Sequence, residues 1–177
     1  MSARELTKAG FLWGPLSGFG LVTAAVTAVL DQASKQWVIG GLHLGLDERL
    51  PLVPFVDLTL VQNKGISYGW FQQSGPLGQW ALLAAAAIAL IWLWIWLSRA
   101  SSRLLVFGLA LIIGGAIGNG IDRLVRGWVV DFVLFYITTA RFTFHWYVFN
   151  LADVAIVAGV VVLLYDSFRG SSAAKAP

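Results

Sequence analysis

Two carboxylates inside apolar sequence are the residues of this chain most suited to chemistry. Asp153 interrupts "FNLADVAIVAGVVVLLY", an apolar run that extends to Tyr165. Asp131 lies in "GWVVDFVLF", which is equally apolar. An ionised aspartate in hydrocarbon costs at least about 2.5–3.5 kcal/mol, so acids at such positions usually have a function. The two residues therefore predict a site in which buried carboxylates do the chemistry.

Converging carboxylates favour hydrolysis by an activated water. In a low-dielectric site two carboxylates share one proton, because both cannot ionise cheaply. The ionised member takes a proton from the attacking water, and the protonated member supports the developing oxyanion, as in aspartic proteases. The chain has no Cys, and its two histidines, His43 and His145, lie far apart. Thiol catalysis and a metal site are therefore not expected, and no cofactor is implied.

Paired acids in membrane spans leave two other functions open. A proton-coupled carrier or channel component also needs such acids, although four spans are few for a carrier. A structural membrane subunit could instead use them as contacts between helices. The spacing alone does not separate these alternatives from a peptidase.

Other polar residues lie close to the two acids in sequence. The segment "GGAIGNGIDR" places Asn119, Asp122 and Arg123 at positions i, i+3 and i+4, so they share one helix face. Asn150 precedes Asp153 by three residues and shares its face in the same way. These amides could hold the acids in place or bind the backbone of a substrate.

Three further features have structural interpretations at least as good as functional ones. Gly114 and Gly118 have the G-x-x-x-G spacing that lets neighbouring helices approach closely. Asp31 and Lys35 are at i and i+4, where they can form an ion pair along a helix. Asn63 lies in "QNKGISYGWF", which is typical of a turn.

The composition indicates the elements that must position these residues. The chain is 58% hydrophobic and 12% charged, about half the charged fraction of a soluble domain. A net charge of +3 without a basic stripe gives no sign of nucleic-acid binding. We expect one domain over residues 1–177, an all-α membrane protein with four transmembrane helices and a small periplasmic β-sheet or cradle. The predicted spans are about residues 16–39, 77–97, 104–124 and 147–165. The first span is longer than the apolar region of a signal peptide, so we interpret it as a span that is retained.

Basic residues predict the orientation of these spans. Six fall in the three short segments 1–10, 98–103 and 166–177, whereas the outer loops, residues 40–76 and 125–146, contain few for their length. This asymmetry places both termini in the cytoplasm. Alternating apolar residues predict strands in 49–63 and 140–149. A fourth span that begins near Tyr147 would place Asp153 about six residues, or ~9 Å, below the outer boundary.

Five blocks of the sequence resemble the lipoprotein signal peptidase family, also called signal peptidase II. In chain order they are "DQASK" (31–35), "NKGISYGWF" (63–71), "GNGIDR" (118–123), "VVDF" (129–132) and "FNLAD" (149–153). Five blocks in the expected order are a specific signal, and the resemblance extends over about residues 22–165. "ISYG" differs from the A-A-F-like sequence of many members.

The resemblance implies a bacterial inner-membrane aspartyl protease with its active site near the periplasmic face. Such enzymes remove signal peptides from prolipoproteins by cutting before a diacylglyceryl-modified Cys, and globomycin blocks them. The family's catalytic pair corresponds to Asp131 and Asp153. Its supporting residues correspond to Asp31, Asn63, Asn119, Asp122, Arg123 and Asn150. The implied partners are a lipid-modified prolipoprotein and membrane lipids.

Overall fold

The computed structural model describes residues 12–65 and 76–173, and within these ranges the chain forms four long helices. They are α1 (Ser17–Gln36), α2 (Pro76–Arg99), α3 (Arg103–Arg126) and α4 (Leu151–Ala173). Among the described residues, three helices are long and apolar enough to cross a membrane, within α2, α3 and α4. Polar side chains such as Asp31 and Gln32 lower the hydropathy of α1. A π-helical turn, Trp37–Gly41, extends α1.

Helix α3 lies at the centre of the helical part and contacts the other three helices. Its glycines make the contacts close. A Cβ added at Gly114 would come within 2.6 Å of the Ala24 carbonyl oxygen on α1, and one added at Gly115 would meet the Ala152 carbonyl oxygen on α4. The predicted role of these small residues in helix packing is confirmed.

Besides the helices, the described residues form an antiparallel sheet of four strands in the order β1-β2-β3-β4. The strands are β1 (Arg49–Val53), β2 (Val56–Asn63), β3 (Val129–Thr138) and β4 (Thr143–His145). Alternation in the sequence predicted the strands in 49–63 and 140–149, and both are found. It did not predict β3, because the residues from Val129 to Phe132 are buried and show no alternation of apolar and polar residues.

A glycine turn connects α3 directly to β3. Helix α3 ends at Arg126, as expected from the Gly that follows it. Gly127 has φ of +82°, in the left-handed region that favours glycine, and its N–H donates to the Arg123 carbonyl. Because the turn is so short, Asp131 on β3 stays close to the polar end of α3.

The start of α4 differs from the prediction. The helix begins at Leu151, not near Tyr147. Phe149 forms an antiparallel bridge with Val133, so the residues before α4 belong to the edge of the sheet. Asp153 is consequently in the first turn of the helix, as its third residue. Its depth below the outer membrane boundary stays a prediction.

Candidate active site

Strand β3 presents Asp131 to two amide side chains. Asn63, the last residue of β2, donates from Nδ2 to Asp131 Oδ2 at 2.9 Å. Asn150 donates from Nδ2 to Asp131 Oδ1 at 2.6 Å. Asp131 is only 3% exposed, so these two bonds replace much of the solvation that the carboxylate loses on burial.

Asp153 is held by the first turn of its own helix and by α3. Asn150 caps α4: its Oδ1 accepts from the Asp153 N–H at 3.0 Å, and Asp153 Oδ2 accepts from the Asn150 N–H at 3.2 Å. This reciprocal pair is a capping box, which also fixes the carboxylate. The other oxygen, Oδ1, accepts from Asn119 Nδ2 at 3.0 Å.

Asn150 therefore contacts both carboxylates, with its side chain on Asp131 and its backbone N–H on Asp153. Burial, and after it the charge of Asp153, raise the pKa of Asp131 to about 7, although the hydrogen bonds from Asn63 and Asn150 act to lower it. A carboxyl with such a pKa can hold or release a proton near neutral pH, as a general acid or base must.

A buried ion network lies beside the two acids. Lys35 Nζ is 2.7 Å from Asp31 Oδ2 and 2.8 Å from Asp122 Oδ2, and all three side chains are fully buried. Arg126 NH1 is 2.6 Å from Asp122 Oδ1. The predicted pair of Asp31 and Lys35 is confirmed, as part of a group of two acids and two cations.

This network also positions the backbone of the elements that contain the catalytic candidates. Asp31 Oδ1 accepts from the Ala152 N–H at 2.9 Å, in the first turn of α4. Asp122 Oδ2 accepts from the Val130 N–H at 3.1 Å, next to Asp131. Asp31 and Asp122 thus fix the elements on which Asp131 and Asp153 lie.

Arg123 and Asn63 hold the residues that directly follow β2. Arg123 NH2 donates to the Gly65 carbonyl at 3.0 Å, and NH1 donates to the Asn119 carbonyl at 3.4 Å. Asn63 Oδ1 accepts from the Gly65 N–H at 3.0 Å, so the predicted turn is present. The rest of that block, 66–71, lies outside the described residues.

A cavity of about 570 Å³ opens beside Asp131. Its wall includes Asn63 and Lys64 on one side and Trp146 and Tyr147 on the other. No group of three or more His, Cys, Asp or Glu side chains in the described ranges is arranged to hold a metal ion. The cavity thus reaches Asp131, whereas Asp153 is not among its lining residues.

All eight predicted site residues lie in this one region. Three more belong to it, and of these only Lys35 was named from the sequence, as the ion-pair partner of Asp31. Gln32 Nε2 donates to the Gly118 carbonyl at 2.9 Å and to Asp122 Oδ1 at 3.2 Å. Lys35 donates to Asn119, and Arg126 pairs with Asp122. The block "DQASK" contained the signal for Gln32 and Lys35, because both share it with Asp31.

The fold is that of a known class of membrane enzymes. A structure described as a bacterial membrane enzyme, determined by the in meso method at 2.3 Å resolution, superposes with a TM-score of 0.75 at 23% identity over 90% of this chain and 93% of that one. A second such structure, at 1.9 Å, gives a TM-score of 0.69 at 26% identity over 84% of this chain and 92% of that one.

Sequence comparisons define the family. The profile of signal peptidase II matches residues 23–169. A lipoprotein signal peptidase of Rhodopseudomonas palustris strain TIE-1 is 54% identical over 89% of this chain and 96% of its own length. One from Nitrobacter hamburgensis is 55% identical over the same shares. The chain belongs to the signal peptidase II family of membrane proteases.

Proposed function

We propose that this chain is an intramembrane aspartyl endopeptidase. It removes signal peptides from diacylglyceryl-modified prolipoproteins by cutting before the lipidated Cys. The family and the names of its relatives support this substrate class. The observation that carries the mechanism is the position of Asn150, which is hydrogen-bonded to Asp131 and Asp153 at once.

The two acids divide the proton transfers. Burial and the charge of Asp153 raise the pKa of Asp131 to about 7. Asp131 therefore holds the shared proton. Asp153 takes a proton from water as the water oxygen attacks the scissile carbonyl carbon. The proton of Asp131 supports the oxyanion, and the C–N bond breaks as a proton passes to the leaving amine. Asn63, Asn119 and Asn150 keep both carboxylates oriented throughout.

The proposed placement has α1 as a fourth span in a bacterial inner membrane, with the active site near the periplasmic face. The paired acids lie where α3 and α4 meet the sheet, whereas Arg99 and Arg103 lie at the opposite end of the helices. Those arginines support cytoplasmic termini under the positive-inside rule. The terminal basic residues that entered the prediction, Arg4, Lys8 and Lys175, lie outside the described residues. Substrate acyl chains stay in the bilayer, and globomycin-type inhibitors are expected at this site.

The decisive experiment is cleavage of a diacylglyceryl-modified prolipoprotein by purified protein, with and without globomycin. We expect Asp131→Asn and Asp153→Asn each to abolish cleavage while the protein still inserts and unfolds cooperatively. The amide keeps the shape of the carboxyl but cannot exchange the proton. Asp166→Asn, at the other end of α4, serves as the matched control and should cleave normally.

Cleavage at the normal rate by either site variant would contradict the proposal. Proton-driven flux in proteoliposomes without any proteolysis by the wild-type protein would favour a carrier. Failure of the acid variants to assemble with a partner, with no precursor accumulating, would favour a structural subunit.

A further inference from the structure

We propose that Lys35 is a positioning residue for Asp153 and acts through the side-chain amide of Asn119. Lys35 Nζ donates to Asn119 Oδ1 at 2.9 Å, and Asn119 Nδ2 donates to Asp153 Oδ1 at 3.0 Å. The inference rests on the proposed peptidase function and adds to it a residue that touches neither substrate nor either catalytic acid.

The first step concerns the direction of the Asn119 amide. Its oxygen and NH₂ group are similar in shape, so only hydrogen bonds decide which one faces Asp153. Two donors, Lys35 Nζ and Asn150 Nδ2 at 3.0 Å, occupy the oxygen. The reversed amide would face both donors with its NH₂ and the carboxylate with its oxygen. Lys35 therefore selects the orientation that stabilises ionised Asp153.

The second step concerns Lys35 itself, which is held on three sides. Its side chain is fully buried, and its three N–H donors are matched by Asp31, Asp122 and Asn119. The two acids, from α1 and α3, compensate the buried ammonium, since an uncompensated charge there would be costly. Lys35 thus acts on Asp153 through the two hydrogen bonds of the Asn119 amide, and hydrogen bonds depend on direction.

Lys35 also influences Asp131 through space. Its positive charge opposes the increase that burial and Asp153 cause in the pKa of Asp131. Among the described residues, Asn63 and Asn150 also donate hydrogen bonds to Asp131. Arg123 interacts electrostatically with its carboxylate, and Lys64 and His145 line the same cavity. Loss of Lys35 should raise this pKa, so the alkaline limb of the pH–rate profile should move to higher pH.

The test compares three variants in the cleavage assay. Lys35→Met removes the donor and the charge, Lys35→Gln removes the charge but leaves an N–H donor, and Arg103→Met removes an exposed cation at the opposite end of α3. We expect Lys35→Met to lower kcat on the order of 10- to 100-fold with little change in KM. Lys35→Gln should recover part of that loss. Arg103→Met carries the same charge change but lies at the other end of the helix from Asn119, so its kcat should stay close to that of the wild type.

The decisive readout is a double-mutant cycle with Asn119→Ala. If Lys35 acts through the amide, Lys35→Met should change kcat by much less in the Asn119→Ala background than in the wild type. Equal losses in both backgrounds would overturn the proposal. A loss of kcat in Arg103→Met as large as in Lys35→Met, or an alkaline limb that does not move, would also overturn it.

Thermal unfolding of each variant shows whether a low kcat reflects a loss of folded protein. Lys35→Gln, which keeps an N–H donor in a polar side chain, tests the inference if Lys35→Met does not fold. A wild-type protein that fails to cleave any lipidated precursor would refute the peptidase function. Wild-type cleavage with unchanged kcat in the Lys35 variants would refute only the role of Lys35.

Discussion

Asparagine side chains, more than charges, decide how the two acids of this protein are oriented. Asn63 and Asn150 donate to Asp131, while Asn119 donates to Asp153. Sequence spacing could show that such residues share a helix face. It could not show which atoms pair across the chain, because Asn119 Nδ2 and Asp153 Oδ1 belong to different helices. The set of residues was therefore predictable, whereas their hydrogen-bond pattern required the fold.

The raised pKa of Asp131 makes stability depend on pH. Its ordinary value is 3.8, and burial together with the charge of Asp153 raises it to about 7. Between about pH 4 and 7 the folded protein thus holds a proton that the unfolded chain has lost. This contribution to the free energy of unfolding is full at low pH and is lost as the pH rises to about 7.

Asp131→Asn removes this titration. We expect the melting temperature of the wild type, relative to that of the variant, to be higher at pH 5 than at pH 8. Thermal unfolding in detergent micelles at the two pH values checks this, and the titrations common to both proteins cancel in the comparison. A difference in melting temperature that stays constant over this range would contradict it.

At the scale of elements, α3 and β3 bring the site together. The helices and the outer strands had recognisable sequence patterns, since long apolar runs and alternating residues report membrane spans and half-buried sheets. Strand β3 had none, because a strand buried on both faces resembles any other apolar segment. The start of α4 was placed too early for a related reason. Tyr147, Val148 and Phe149, which lie between β4 and the helix, are as apolar as the helix itself, although Phe149 pairs with Val133 of the sheet.

Gly118 on α3 gives a test at this scale. A Cβ there would collide with the carboxylate of Asp31, which holds the Ala152 N–H at the start of α4. We expect Gly118→Ala to cost about 1–3 kcal/mol of stability, as overpacking does, and to reduce cleavage. Gly120 has no atom within 4 Å of the corresponding position.

Gly120→Ala is the matched control, two residues away on the same helix. It should be as stable as the wild type or up to about 1 kcal/mol more stable, because Ala favours helix over Gly. Thermal unfolding and the cleavage assay measure both effects. Equal behaviour of the two alanine variants would show that the contact between Gly118 and Asp31 does not matter.

At the scale of the whole molecule, the proposed orientation has a direct test. The chain has no Cys, so a single introduced cysteine is the only thiol that a maleimide can label. Ala140 and Ser101 are both exposed, in the turn before β4 and in the segment between α2 and α3. We expect a membrane-impermeant maleimide to label Ala140→Cys in intact cells, since that turn would face the periplasm.

Ser101→Cys should be labelled only after the inner membrane is permeabilised, because that segment would face the cytoplasm. Each variant is the control for the other, as both thiols are small and exposed. The reverse pattern, or labelling of both in intact cells, would refute the proposed topology with cytoplasmic termini.

The contact between Asp31 and the Ala152 N–H joins the first described helix to the last. During synthesis, a ribosome would complete α1, α2, α3 and the sheet before Leu151 emerged. Until then Asp31 has no backbone N–H to bind, and neither Asn150 nor Asp153 is in place. Under the proposed function a nascent chain is inert towards neighbouring precursors, and proteolytic competence arrives only once α4 has been made.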